Sequence, residues 1–202
     1  MKKTIAFMLL AGIVLQGCIV KSVYPFFKES DVVFKKELVG AWMDNDSNRW
    51  NIHANPFKPN SYELHYIKGN RDVVFSGNLF TLDGRLYIDL FPVADNKEEM
   101  LFFDLHLVPT HSVAMVEKLT ADEIEIKWFN EEWLESLFSQ NKIRISHEMI
   151  MDFDLKPNED EGMYLLTAST DELQKFIVKY REEAMAAFGD GDVSLRWTRV
   201  NQ

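Results

Sequence analysis

The sequence contains a single cysteine, Cys18, among its 202 residues. Without a second cysteine the chain cannot form an internal disulfide or a site built from several thiolates. It also lacks a phosphate-binding glycine loop, a dinucleotide-binding glycine pattern and the Gly-x-Ser-x-Gly pattern of many serine hydrolases. The sequence therefore contains no motif of nucleotide binding or serine-based catalysis, and we expect no cofactor.

Basic residues are scarce: the chain has 22 lysines and arginines against 32 acidic residues, a formal charge of −10. Residues 1–17 contain two lysines and no acid, so a chain that begins at Cys18 has 20 basic and 32 acidic residues, or −12. An acidic surface repels nucleic acids and anionic headgroups. Nucleic acid is therefore not an expected partner.

Long apolar runs are absent apart from residues 5–15, which follow the basic pair Lys2 and Lys3. This run is too short to span a bilayer, which needs about 20 apolar residues. A short basic head followed by an apolar stretch of this length is typical of a secretory signal peptide. We expect residues 1–17 to be removed from the mature protein.

The residues Leu15-Gln16-Gly17-Cys18 resemble the lipobox of bacterial lipoproteins, although Gln16 is a less usual occupant than alanine or serine. The resemblance implies cleavage after Gly17 and acylation of Cys18. Two or more acyl chains hold a protein stably at a membrane. The expected partner of this end of the chain is therefore a lipid bilayer, and acylation of Cys18 would leave no free thiol for catalysis or metal binding.

Isoleucine follows the cysteine, whereas aspartate at that position would resemble an inner-membrane retention signal. In a Gram-negative host we therefore expect the protein at the outer membrane, on its periplasmic face. The expected organisation is a signal peptide over 1–17, a lipidated tether over 18–30 and one globular domain over 31–202. The aromatic residues of the tether are expected to pack against that domain. A domain of this size can bury a substantial core without cross-links.

Alternation of apolar and polar residues with period two dominates the chain after residue 38 and predicts strands. The predicted strands are 40–43, 49–53, 62–66, 73–82, 85–90, 101–108, 112–119, 123–128, 163–168 and 193–200. Short turns separate many of them, and Asp83-Gly84 favours a two-residue hairpin because both residues tolerate positive φ. Strands joined by short turns pair antiparallel, so a meander is predicted.

Two helices interrupt the predicted strands. The first covers 130–140, with Asn130 as N-cap and an apolar stripe from Trp133 to Phe138. The second covers 170–188, opens on the capping-box pattern Ser169-Thr170-Asp171-Glu172 and ends before Gly189.

The segment Leu38-Val39-Gly40-Ala41-Trp42 resembles the Gly-x-Trp opening of lipocalin-like barrels. The resemblance implies that Trp42 caps one end of a barrel and packs with an arginine, for which Arg196 on the last strand is the candidate. We therefore expect a mainly β fold: an antiparallel meander of about eight strands curled into a lipocalin-like barrel, with two α-helices outside it or across one mouth. The alternative is an α+β fold with an open antiparallel sheet and a C-terminal helix.

A longer resemblance covers most of the chain after Cys18 and is to a family of uncharacterised bacterial lipoproteins. The segments that carry it are 24–27, 38–42, 79–92, 106–116 and 165–176. This resemblance implies no activity.

Two groups of residues have the composition of a metal site. Asp44-x-Asp46-x-Asn48 resembles the start of a calcium loop, but arginine and asparagine stand where such a loop needs glycine and a bidentate glutamate, so a hairpin turn is the preferred interpretation. His106 and His111 could contribute to a zinc site, which would need a third ligand. A structural role for each imidazole is preferred, and the Asp-Gly-Asp sequence at 190–192 is interpreted as a turn.

Aromatic residues are abundant, with 15 Phe, 6 Tyr and 5 Trp. They fit a packed core or an aromatic-lined cavity, and the sequence does not separate these. The leading hypothesis is a membrane-anchored, non-catalytic binding module for a small apolar ligand or a protein partner. The alternatives are an envelope hydrolase with an unidentified carboxylate or histidine site, and an inhibitor or immunity-type protein that uses an acidic face.

Overall fold

The computed structural model describes residues 19–93, 107–151, 162–187 and 194–200. Several predicted features lie outside the described residues: the signal peptide with its cleavage site at Gly17 and Cys18, most of the predicted strand 101–108 including His106, and the turn at Gly189 and 190–192. Residues 107 and 108 are described and are not part of a strand.

The described residues form eleven strands and two α-helices. The strands are β1 (Lys21–Ser22), β2 (Gly40–Met43), β3 (Arg49–Ala54), β4 (Tyr62–Lys68), β5 (Arg71–Leu82), β6 (Arg85–Val93), β7 (His111–Leu119), β8 (Glu123–Trp128), β9 (His147–Met151), β10 (Gly162–Leu166) and β11 (Ser194–Arg199). The helices are α1 (Glu131–Ser139) and α2 (Thr170–Ala187).

Eight of these strands close into an antiparallel barrel, as the resemblance to lipocalin-like barrels implies. The order β6-β5-β4-β3-β2-β11-β8-β7 is joined end to end by pairing of β6 with β7. In that last pair Leu86 lies opposite Val116 and Leu90 opposite Ser112. Strands β2 to β8 form the predicted meander, and β11 fills the gap between β8 and β2. The alternative of an open sheet is therefore wrong.

The turn between β5 and β6 has the geometry that its sequence predicts. Asp83 and Gly84 both have positive φ, at 48° and 73°. The mirror-image hairpin turns require this because their twist matches that of the flanking strands. The turn fixes the β5–β6 register, in which Leu82 pairs with Arg85.

Trp42 closes one end of the barrel. Its side chain is fully buried, and its indole N–H donates to the carbonyl of Leu38 at 2.9 Å. The guanidinium of Arg199, on the last strand, lies over the Trp42 ring at 4.1 Å from the ring centroid. The same guanidinium donates to the carbonyls of Glu37 and Val39. At this end of the barrel, Arg199 thus connects the last strand with the Trp42 ring and with the segment that enters β2.

The glycine of the Gly-x-Trp motif follows from this contact. Gly40 has a φ of +146°, which L side chains rarely adopt, and a Cβ there would collide with the guanidinium of Arg199. The prediction that Arg196 is the arginine partner is wrong. Arg196 lies on the outer face of β11 beside Glu123 and Glu125, whereas Arg199 is on the opposite face and pairs with Trp42 in register.

The barrel interior is filled by side chains from its closed end to about the level of Trp50. This interior cluster is apolar, and most of its members expose 2 % or less of their surface. It consists of Leu38, Trp42, Trp50, Ile52, Tyr62, Leu64, Leu79, Ile88, Leu90, Ala114, Ile124, Ile126, Trp128 and Trp197. The barrel interior is therefore largely packed by its own side chains.

Both helices pack against the outside of the barrel rather than across a mouth. Asn130 caps α1 as predicted, because its side chain accepts hydrogen bonds from the backbone N–H groups of Glu132 and Trp133. In α2, the Glu172 carboxylate accepts from the backbone N–H and the hydroxyl of Ser169, and these bonds lower its pKa. The apolar stripes of the two helices cover the outward residues Phe80, Tyr87, Val113 and Met115 of β5, β6 and β7.

The segment that precedes the barrel is part of the fold. Val20, Phe26 and Phe27 are buried in the cluster between the helices and the barrel, so two of the tether aromatics pack against the domain as expected, whereas Tyr24 is exposed. Strand β1 pairs antiparallel with β7 and parallel with β10, and β9 extends this side sheet. Within the described chain, no helix is long and apolar enough to cross a membrane.

Replacing Trp42 by alanine should lower the unfolding free energy by about 3–5 kcal/mol, because a fully buried ring is lost and a cavity remains. Arg199→Ala should cost about 1–3 kcal/mol, because the carbonyls of Glu37 and Val39 lose their donor. Arg196→Ala, on the exposed face of the same strand, is the matched control and should change stability by no more than about 0.5 kcal/mol. Urea denaturation measures all three. Equal stability of the Arg199→Ala and Arg196→Ala proteins would contradict the role of Arg199.

Candidate functional site

A cavity of about 260 Å³ lies at the end of the barrel where a turn joins β2 to β3. We call it the mouth cavity. Apolar and aromatic side chains form most of its wall, and the turn between β2 and β3 forms a polar rim. The lining residues are Ile19, Asp44, Asp46, Asn48, Trp50, Tyr66, Phe75, Leu90, Ser112, Trp128 and Leu195.

Trp50 is the centre of the aromatic wall. Its ring centroid lies 4.6 Å from that of Tyr66, 4.8 Å from that of Trp197 and 6.4 Å from that of Phe75. The indole N–H of Trp50 donates to Asp44 Oδ2 at 3.0 Å. Because stacking fixes the plane of the ring and the hydrogen bond fixes its direction, this face of the cavity is preformed.

Asp44 organises the rim. Besides Trp50, its buried carboxylate accepts hydrogen bonds from the backbone N–H groups of Asp46 and Asn48 and from the Asn48 side chain, at 2.8–3.1 Å. These bonds close the turn, as the hairpin interpretation predicts. Asn55, at the last position of a calcium loop, instead accepts from the backbone N–H groups of its own turn.

The rim is negatively charged, and this affects its tyrosine. Partial burial, together with the charges of Asp44 and Asp46, raises the pKa of Tyr66 above its ordinary value. The phenol is therefore protonated at neutral pH and is able to donate a hydrogen bond at the edge of the cavity. Anionic ligand groups are disfavoured beside the two carboxylates.

Trp197 lies behind Trp50 and is fully buried. Among the described residues its indole nitrogen has no hydrogen-bond partner. An unpaired buried N–H is costly, at roughly 1–3 kcal/mol, and most such groups in native proteins are satisfied. Trp197 thus supplies a buried donor within the aromatic cluster that forms the cavity wall.

The described chain begins at the rim of the mouth cavity. Ile19 lines the cavity, forms a β-bridge with Asn130, and is followed by a hydrogen bond from the N–H of Val20 to the carbonyl of Phe129. The first described residue therefore belongs to the rim of the mouth cavity.

His111 forms a buried pair with Asp89 on the outer face of the barrel. Asp89 is fully buried; its Oδ1 lies 2.8 Å from His111 Nδ1, and its Oδ2 accepts from the backbone N–H of Phe26 at 3.0 Å. The pair holds the segment before the barrel against β6 and β7. This confirms the structural role predicted for His111.

The Asp89–His111 pair is not accompanied by a nucleophile in the described part of the chain. Ser112 follows His111 and lines the mouth cavity on the opposite face of β7, where its hydroxyl lies 3.5 Å from the carbonyl of Leu90. Ser22 lies opposite His111 in register, but its buried hydroxyl donates to the carbonyl of Leu166. The hydrogen bonds of the pair connect His111 of β7, Asp89 of β6 and the backbone of Phe26.

The other described histidines lie at the surface or in partly buried polar positions, as predicted. His65 lies 3.0 Å from Glu63 and 3.3 Å from Asp72, and the hydrogen bond to Glu63, more than any other contact, raises its pKa. His53 packs edge-on against the His65 ring, and His147 contacts Phe138. Among the described residues no group of three or more potential ligands is arranged to hold a metal ion.

Sequence patterns predict some of the residues that line the cavity but not others. Tyr66, Trp50 and Trp128 are inward residues of predicted strands, so their orientation follows from alternation. Ile19 and Leu195 carry no signal that places them at the same end of the barrel. That the two lie together follows from closure by β11 and from the bridge of Ile19 to Asn130.

Asp44→Ala should lower the unfolding free energy by about 1–3 kcal/mol, because it leaves the buried indole N–H of Trp50 and the turn N–H groups without an acceptor. Asp46→Ala is the matched control: its side chain is exposed on the same rim, so its cost should stay within about 0.5 kcal/mol. Urea denaturation gives both values, and the NMR shift of the Trp50 indole N–H reports the lost bond. An unshifted resonance in Asp44→Ala would contradict this account.

The chain was compared with protein-family models, with curated proteins and with solved structures, and none of them matches it. Neither a family nor an activity is therefore available from a relative, and the mouth cavity of the eight-stranded barrel is the feature on which a functional inference rests.

Proposed function

We propose that this protein is a non-catalytic binding module that takes a small apolar ligand into the mouth cavity. The observation that carries the proposal is the preformed aromatic wall around Trp50, whose rings border an open cavity. Ligand sites in proteins are concave, mostly apolar, and carry a few fixed polar groups.

The size of the cavity limits the ligand. At about 260 Å³ it lies slightly below the range of about 300–1,000 Å³ typical of sites for drug-sized molecules. A single ring system or part of a larger apolar molecule fits this volume. The phenol of Tyr66 offers a donor to an acceptor atom on the ligand, and the carboxylates at the rim favour a neutral or cationic group over an anionic one.

The hydrolase alternative receives less support. The polar residues of the cavity are Asp44, Asp46, Asn48, Tyr66 and Ser112, and the Asp44 carboxylate is occupied by the turn. The Asp89–His111 pair projects from the opposite face of the barrel wall. A general acid or base must lie within hydrogen-bond reach of the reacting group. We therefore retain binding as the proposed function.

The second part of the proposal concerns location. The lipobox-like sequence Leu15–Cys18, together with a single cysteine, supports lipid attachment at Cys18. Ile19 after the cysteine supports the outer membrane, on its periplasmic face. Because Ile19 also lines the rim, the anchor would enter the bilayer beside the mouth cavity and hold the cavity near the membrane surface.

Leu195→Trp should fill the mouth cavity and weaken binding of a neutral apolar fluorophore, N-phenyl-1-naphthylamine, by about tenfold or more, since a bulky ring then occupies the ligand volume. Leu119→Trp, the same change on a partly buried residue at the closed end, is the control and should leave binding unchanged. Fluorescence titration of the fluorophore measures the dissociation constants. Failure of the parent protein to bind, or equal weakening by both changes, would refute the proposed site.

Cys18→Ser should abolish incorporation of labelled palmitate and leave the precursor unprocessed, because the serine hydroxyl is not the thiol that the lipidation reaction uses. The parent protein should fractionate with the outer membrane. Metabolic labelling followed by membrane fractionation tests both expectations. Palmitate incorporation into Cys18→Ser, or recovery of the parent from the inner membrane, would contradict the corresponding part of the proposal.

A further inference from the structure

A second concave surface lies far from the Trp50 wall, between α2 and the segment 141–145 that follows α1. We call it the α2 groove; its volume is about 420 Å³. Ile143 and Phe176 are buried and form its floor, and the partly buried ring of Tyr180 lies at its side. The hydroxyl of Tyr180 donates to the carbonyl of Lys142 at 3.1 Å, which joins the two walls.

The charge of the α2 groove is opposite to that of the whole protein. Four cationic side chains line it, Lys142 and Arg144 on one wall and Lys175 and Lys179 on the other. The one carboxylate in the lining is that of Glu172. In the full chain acidic residues outnumber lysines and arginines by 32 to 22. The groove is therefore a local concentration of positive charge on an acidic molecule.

The cations are available to a partner. All four are exposed, and Arg144 has no hydrogen-bond or ion-pair partner among the described residues. The Lys179 ammonium lies over the Tyr180 ring, 4.7 Å from its centroid, and Lys142 makes one long ion pair with Glu183 at 3.4 Å. Exposed contacts of this kind are weak and easily exchanged.

The two helix lysines are separated by four residues and so project from the same side of α2. Lys175 also lies one helical turn after Asp171 and Glu172 and attracts both carboxylates. Together the two lysines place their ammonium groups opposite Lys142 and Arg144 across an apolar floor.

From this charge complementarity we propose that the α2 groove docks an acidic segment of a partner protein, with an apolar side chain on the floor and carboxylates against the two cationic walls. An extended chain fits between two walls and reaches a recessed floor. A flat bilayer surface would touch the walls only and leave Ile143 and Phe176 uncovered. The guanidinium of Arg144 is suited to a bidentate carboxylate contact. This surface is independent of the mouth cavity.

The test uses the protein as a cell produces it from the full chain, purified in neutral detergent, and a fluorescein-labelled peptide in which glutamate and leucine alternate. Fluorescence polarisation should show saturable binding that weakens at high ionic strength, since exposed charges are screened there. Arg144→Glu combined with Lys179→Glu should weaken binding by about tenfold or more, because attraction becomes repulsion on both walls. Lys68→Glu, an exposed lysine in the hairpin between β4 and β5, is the matched control and should change binding less than about twofold.

Circular dichroism melts of each variant show whether its fold is intact. If the charge reversals disturb folding, Lys175→Ala with Lys179→Ala replaces them and should still weaken binding measurably. The proposal is overturned if the parent does not bind the peptide, or if the groove and control variants have equal effects. It is also overturned if short-chain phosphatidylglycerol displaces the peptide at a lower concentration than unlabelled peptide does, because that result would indicate a site for a lipid headgroup. Dimerisation of the parent that the groove variants abolish would also overturn it in favour of a second copy of this chain.

Discussion

The contact between Arg199 and Trp42 joins the first and last strands of the barrel. Without β11, strands β8 and β2 would each present a row of unpaired backbone groups, which is the open edge that β-proteins avoid. Arg199 also donates to two carbonyls of the segment that enters β2, so one side chain covers the closed end of the barrel and fixes the register of its last strand. The filled interior depends on this closure.

Most of the barrel could be predicted from the sequence because its strands have one face in the core and one outside. Period-two alternation then determines both the element and the direction of each side chain, as for Tyr62, Leu64 and Ile124. The same rule fails where both faces are covered: Tyr87 and Asp89 point outwards and are nevertheless fully buried, because the helices and the segment before the barrel lie over them. The two-residue strand β1 is too short to show any period, and its position follows only from its partners β7 and β10.

The site was less predictable than the fold because it is made of what packing leaves unfilled. An aromatic-rich composition is equally compatible with a solid core and with a lined cavity, and here the chain uses both: Trp42 is packed in the core, and its cross-strand partner Trp50 borders the cavity. The sequence predicts Arg196 as the partner of Trp42, whereas the partner is Arg199, three residues later. Because side chains alternate between the two faces of a strand, residues three apart lie on opposite faces. The calcium-like spacing at Asp44 is explained once its oxygens are seen to accept N–H groups of their own turn and of Trp50.

The order of strands has a consequence for the way this chain folds. The hydrogen bond from Arg199 to Glu37 links residues 162 positions apart, and both helices together with β9 and β10 lie between β8 and β11 in sequence. Contacts of such long sequence separation lower folding rates, because the loop must close before the contact forms. Strands β2 to β8 can pair hairpin by hairpin, but the ring is completed only when β11 arrives. Until then the intermediate has two exposed strand edges, to which a strand of another unfolded chain can pair.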